Sequence, residues 1–279
     1  AIARNFRDSG NDILHPQIDW RGDGPGYVET EFQLYTYAIA PLLALRQHAE
    51  WPGQIISLAA IAIAAALIFH ALKARFSPHV ALLAALALLG NLDVLHLATA
   101  IQPDALCFLF YVAALLSFHR FLAHDSNSRW LVISTICATL AALLKSPALH
   151  IGVIEFIAVA LLAPRALRQP KLWLSWIGIV GVFALYSIAA HRLYTQYGNT
   201  FGIGFGGDAK WPGLRDLLNV HNYYALLRLT LDWGIGYAGF IAAIALAVRR
   251  RLSAWECALA IGFALHLIVS MRYSSSLWL

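Results

Sequence analysis

Charge is scarce in this chain. Of its 279 residues, 13% are Asp, Glu, Lys or Arg, against 60% hydrophobic, and the mean hydropathy is +0.65. That balance excludes an ordinary soluble domain. Cysteine is scarce as well. Cys107, Cys137 and Cys257 all fall inside apolar stretches, which excludes both a disulfide framework and a cysteine metal cluster. There is no internal repeat, no soluble domain and no N-x-S/T sequon, the last in keeping with a bacterial protein. Gly202, Gly204 and Gly207 formally match G-x-G-x-x-G, but no βαβ unit surrounds them, so the run from Phe201 to Asp208 reads as a flexible outer loop, a candidate lid. The chain starts at Ala1 with neither Met nor a signal sequence and stops just after an apolar run, so we expect a fragment of a longer protein.

What is abundant is apolar sequence in lengths that suit a bilayer. About 20 residues at 1.5 Å each cross roughly 30 Å of hydrocarbon. Eight candidate spans follow: 53–72, 79–100, 103–121, 131–144, 151–162, 173–190, 234–248 and 255–270, with the fourth and fifth short. The expected fold is an all-α polytopic transmembrane helix bundle forming a single domain over 1–279. Residues 1–53 make an outer loop with an interfacial helix, 54–190 six spans, 191–232 a second outer loop and 233–271 two more spans. Residues 30–45 are aromatic but carry Glu31 and Gln33, which predicts a helix lying on the membrane, kinked at Pro41, with Tyr35 and Tyr37 at headgroup level. Residues 1–7 read as the tail of a helix that began upstream.

The net charge of +5 does not call for nucleic acid, because the basic residues lie in short clusters between spans. Those at 73–75, 120–129, 165–171 and 249–251 occupy every second loop, which places them in the cytoplasm. The opposite face then receives the N-terminal segment, the turn at Gln102-Pro103-Asp104, the turn at Lys145 and the 191–232 loop. Carboxylates, a lysine, tyrosines and histidines concentrate there.

Each candidate has a plain structural reading beside the functional one. Asp104 follows Pro103 at the mouth of a span, where an acid also suits the positive end of the helix dipole. Lys145 at a helix end can snorkel to the interface. Glu29 and Glu31 are either site acids or solvated loop residues. Tyr223, Tyr224 and Trp233 are what an aromatic belt supplies, and His221 suits a loop. Asp93 and His96 share a helix face at i,i+3, where Asp93 could line the lower wall of a site. Glu155 lies mid-span and reads as a protonated acid facing the bundle. Asp93 and Glu155 would instead be the coupling groups if the chain were a transporter or a flippase for lipid-linked sugars, although such proteins tend to show inverted repeats and helices broken at the midplane.

The order of segments resembles a family. The run from Ala1 to Trp20, then GYVETEFQLYTYAIAPLLAL, then the QPDA turn, then ALLKSP, is similar to the GT-C glycosyltransferases that use polyprenyl-phosphate sugars, typified by protein O-mannosyltransferases and the aminoarabinose transferase of lipid A. The resemblance runs over residues 1 to about 170. Asp104 matches the family's Pro-Asp turn, and Lys145-Ser146-Pro147 its Lys-Gly-Pro turn. Glu31 stands where the family has a lysine. The family's catalytic Asp closes a first transmembrane helix that would precede Ala1. The resemblance thus implies an inverting hexosyl or pentosyl transferase of a bacterial inner membrane, embedded among membrane lipids. It would move sugar from a polyprenyl-phosphate carrier to a lipid, glycan or protein acceptor on the outer face. Metal dependence stays open, since some members use a divalent ion, and no metal ligand is assigned. Candidate catalytic groups within the chain are Glu29, Glu31 and Asp104. Candidate substrate contacts are Tyr27, Lys145, His221, Tyr223, Tyr224 and Arg228, with Arg192 and Arg272 as further cations for phosphate.

Overall fold

The computed structural model describes residues 1–10, 12–20, 22, 24–45, 50–123, 127–202, 214–229, 231 and 253–269. It is a helix bundle. A short helix α1 (Ile2–Ser9) and α2 (Leu34–Ile39), continued by a 3-10 turn (Ala40–Ala44), lie at one end. The body comprises α3 (Trp51–Lys73), α4 (Pro78–Leu89), α5 (Leu92–Thr99), α6 (Asp104–Ala123) and α7 (Ser128–Leu144). It continues with α8 (Ile151–Leu162), α9 (Pro170–Tyr197), α10 (Leu214–Leu218), α11 (Val220–Leu229) and α12 (Ala254–Val269). By length and composition α3, α6 and α9 can each cross a membrane, and α4 with α5 can do so as one broken span. The expected seventh span at 234–248 lies outside the described residues.

Local sequence explains the boundaries. Pro78 stands at the start of α4 behind Ser77, whose hydroxyl accepts from Val80 N. Asn127 caps α7 by accepting from Arg129 N. Gly198 ends α9 at φ 77°, a left-handed turn that glycine adopts without Cβ strain. The second expected span, 79–100, is not continuous. It breaks at Gly90 and Asn91 with a bend of 66°, because the Asn91 side chain accepts from Asp93 N and Val94 N and starts a new helix.

The bundle packs inside out relative to a soluble protein. Its buried seams are small: Ala60, Ala64, Ala105, Ala114, Ala138, Ala141, Ala142, Ala158 and Ala258 are nearly inaccessible, while Leu58, Leu83, Leu174, Ile177 and Leu185 face outward. In lipid, close backbone approach and interhelical hydrogen bonds hold helices together, because hydrocarbon gives no hydrophobic drive between them. Gly262 shows how tight one seam is, since a Cβ there would sit 2.1 Å from Ile154 of α8.

The two ends differ as the charge pattern predicts. Arg75 reaches His119 at 2.9 Å, Lys171 donates to Ser128 Oγ at 3.1 Å, and Arg120 stacks over Trp130. Three of the four basic clusters therefore meet at one end. The fourth, 249–251, lies outside the described residues. Asp104 and Lys145 are at the other end.

Tyr35 corrects one expectation. It is buried instead of lying at headgroup level, with its hydroxyl 2.9 Å from Gly53 O and 2.8 Å from Ser57 Oγ, while Ser57 donates to Ala100 O. A side chain at position 53 would collide with Ile101 at 2.5 Å, so glycine lets α2, α3 and the turn after α5 converge. Tyr37, by contrast, is exposed and packs edge-to-face with Phe6.

Glu155 faces the bundle interior as expected. Trp176 Nε1 donates to its Oε2 at 2.8 Å, and Ser134 Oγ lies 2.8 Å from its Oε1 and 2.9 Å from Ala114 O. Ser134 has one hydrogen for two acceptors, a pattern that a neutral carboxyl completes by donating. Glutamine offers the same donor and acceptor, so Glu155→Gln should melt in detergent close to wild type. Glu155→Leu strands the Trp176 N–H and should lose about 1–3 kcal/mol, read as a lowered melting temperature; equal melting of the two variants would contradict the network.

Candidate active site

The end opposite the basic clusters is crossed by an extended strap, residues 26–33. Its N-terminal part is hydrogen-bonded to the first loop through Ile18 N to Gly26 O and Val28 N to Pro16 O. Further on it bonds the end of α9 and the following residues, through Glu29 N to Asn199 O and Phe201 N to Glu29 O. Phe32 N donates to Leu143 O of α7, and the Tyr186 hydroxyl of α9 to Thr30 O. The strap therefore fixes Glu29 and Glu31 against α7 and α9.

Glu31 meets Lys145 at 3.0 Å, and Lys145 lies 3.7 Å from Asp104. Three segments distant in sequence, each singled out by its residues, thus supply one cluster. Lys145 ends α7 with extended backbone and its amide donates to Ala141 O, after which Pro147 opens a 3-10 turn (Ser146–His150). Asp104 opens α6, where the helix dipole favours a carboxylate. Lys145 and Asp104 are each about one-third exposed, so solvent reaches the cluster.

Lys145 stands where three cavities meet. One of about 720 Å³ runs down between α6, the 3-10 turn, α8 and α12, with Leu97, Phe108, Leu115, Ile154, Leu259 and Phe263 as apolar walls, and with Asp104, Tyr111 and His150. The other two, about 250 and 350 Å³, lie on the strap side with Thr30, Glu31 and Phe201. Gln33 and Thr36 line the first of these and Ser146 the second. The arrangement sets an ammonium and two carboxylates between an apolar groove and polar chambers.

The remaining candidates are placed differently. Glu29 is buried and turned away from Lys145; His191 Nδ1 lies 3.2 Å from its Oε1, and the Thr200 hydroxyl donates to its Oε2. Tyr27 is wedged edge-on against Tyr197 and His15. His221, Tyr223 and Tyr224 are exposed on α11, where Tyr223 donates to Leu217 O, and neither they nor Arg228 line the three cavities. Arg192 is exposed near the end of α9. Arg272, Trp233, Gly204 and Gly207 lie outside the described residues. Asp93 lines none of the three cavities. Among the described residues no three His, Cys, Asp or Glu side chains gather as a metal site.

The sequence reading overlooked Tyr111 and His150. Tyr111 is seven residues after Asp104, a spacing that keeps it on the same helix face, and this was the available signal.

A family model described as dolichyl-phosphate-mannose-protein mannosyltransferase matches residues 33–191, more than half of the chain. The chain belongs to that family. The match spans α2 to most of α9 and includes Asp104 and Lys145. No curated protein and no solved structure gives a further match. This mannosyltransferase-family chain is accordingly a multi-pass membrane glycosyltransferase of the GT-C type.

Burial disfavours the Lys145 ammonium, but Glu31 and Asp104 outweigh it and hold its pKa above the ordinary 10.5. A raised lysine pKa contributes stability that is whole below the unfolded-state value and lost as pH rises through the folded one. Glu31→Gln removes the nearer partner. Its alkaline loss of thermal stability should therefore begin at lower pH than in wild type, in melts followed from about pH 9 upward. Coincident profiles would mean that the ion pair does not hold Lys145.

Proposed function

We propose that the chain takes a sugar from a polyprenyl-phosphate carrier and transfers it to a hydroxyl or amine of a lipid, glycan or protein at the outer face of a bacterial inner membrane. The observation that carries this reading is the position of Lys145, paired with two carboxylates at the meeting of an apolar groove and polar chambers. A polyprenyl chain suits the groove, a sugar and its acceptor suit the chambers, and the phosphate that joins lipid to sugar belongs at the boundary.

In this reading the acceptor oxygen or nitrogen bonds to the anomeric carbon while the carbon–oxygen bond to phosphate breaks, its electron pair leaving with the phosphate. Displacement from the far side inverts the anomeric centre. Lys145 stabilises the departing anion. As its ammonium turns to the phosphate, Glu31 or Asp104 is released from the pair and can take the acceptor's proton. An Asp of a preceding helix, implied by the family resemblance, is the other candidate for that role. Glu29 acts differently: by holding His191 and Thr200 it fastens the strap that carries Glu31.

The test is turnover of polyprenyl-phosphate mannose by the purified, detergent-solubilised protein, followed as release of polyprenyl phosphate. Asp104→Asn, Glu31→Gln and Lys145→Met should each lower it by about 10²-fold or more with normal expression. Wild-type turnover in all three would remove the cluster from the site.

A further inference from the structure

The apolar groove holds a polar pair that the scheme above does not use. His150 ends the 3-10 turn that follows Lys145, with Nδ1 2.6 Å from Pro147 O and Nε2 2.5 Å from the Tyr111 hydroxyl. A carbonyl oxygen can only accept, so Nδ1 carries a hydrogen. In the neutral ring Nε2 is then an acceptor, and Tyr111 donates to it. A proton added at Nε2 reverses the bond: His150 donates to the phenol oxygen, and the phenol hydrogen is freed for a third group.

That third group would lie in the groove, because both rings border it. Tyr111 is seven residues, about 10 Å of helix, below Asp104 and on the same face of α6. A phosphate at the pair would thus rest below the boundary, from which it moves up to Lys145 for transfer and to which it returns once the sugar has gone. Among the described residues the titratable or charged groups facing the groove are Asp104, Cys107 and Tyr111 from α6, Lys145 from the end of α7, and His150 of the turn. From α5, α8 and α12 it receives Leu97, Ile154, Leu259 and Phe263. The acid of α8, Glu155, is engaged on the other side with Ser134 and Trp176. An apolar groove without an anion favours the neutral ring, and an anion beside it favours the charged one.

We propose that Tyr111 and His150 form a proton-linked seat for the carrier phosphate, in which an arriving anion draws a proton from solvent onto His150 Nε2 and accepts the hydrogen bond that Tyr111 then releases. The one bond formed is the N–H at His150 Nε2, its proton supplied by solvent; the Tyr111 O–H stays intact and changes only its acceptor. The seat rests on the lipid-phosphate reading given above and extends it. Transfer converts a phosphodiester into a phosphomonoester of higher charge, and the protonated pair holds that added charge until the product leaves.

The experiment measures binding of farnesyl methyl phosphodiester, a probe whose single charge is constant near neutral pH, to the full chain in detergent by titration calorimetry. Two buffers of different ionisation enthalpy reveal proton uptake. Wild type should bind about tenfold more tightly at about pH 6 than at about pH 8, with a proton taken up. His150→Gln should lose both the uptake and the pH dependence. Tyr111→Phe, which keeps the shape of the groove, should weaken binding severalfold at the lower pH and leave it unchanged at the higher. Binding by wild type and His150→Gln with one common pH profile overturns the seat and leaves the lipid-phosphate reading standing, as does an equal loss at both pH values in Tyr111→Phe. Failure of wild type to bind the diester at any pH overturns both.

Discussion

The end of this protein opposite its basic clusters is organised by one ion cluster. Lys145 closes α7, Asp104 opens α6 and Glu31 rides on the strap, and the charges that join them are what bring a loop and two helix ends into one place. Each partner alone would be a partly buried charge with a desolvation cost. Together they make the polar mouth tolerable at the edge of a bilayer, and they define where apolar groove becomes polar chamber. The strap's backbone bonds to Leu143, Asn199 and Thr30's partner Tyr186 supply the rigidity that an ion pair between mobile side chains would lack.

Much of this was legible in the sequence because membranes impose simple rules. Apolar length located the helices, and the alternation of basic loops assigned their ends; the contacts of Arg75 with His119 and Lys171 with Ser128 agree with that assignment. Glu31, Asp104 and Lys145 were each visible as a polar residue at a turn. That Glu31 and Lys145 meet was not, because 114 residues separate them and nothing local records the meeting. Tyr35 misled for a related reason: an aromatic in a short amphipathic segment looks interfacial, and its partners Gly53 and Ser57 belong to another helix. The break at Asn91 was hidden inside a run whose hydropathy is continuous, although a glycine followed by a capping side chain is a recognisable stop and start.

The cluster and the groove divide labour by depth. At the rim, side chains reached by water can exchange protons and partners. Below it, Tyr111 and His150 work among leucine and phenylalanine walls, where each hydrogen must be accounted for. Deeper still, Glu155 is wholly enclosed and serves only its neighbours. In the proposed scheme the same chemical types would thus act as reactant, ligand contact or strut according to the solvent around them.

The strap has a consequence for biogenesis. Glu29 is joined to Thr200 across 171 residues and Thr30 to Tyr186 across 156. At ribosomal speed roughly ten to thirty seconds separate the emergence of the two sides. For that interval the acids of the strap wait in water while helix after helix enters the bilayer, and only the arrival of α9 buckles them down. The polar mouth is thus fastened only once α9 has been made, and a chain halted before α9 has α3 to α8 with its strap still loose.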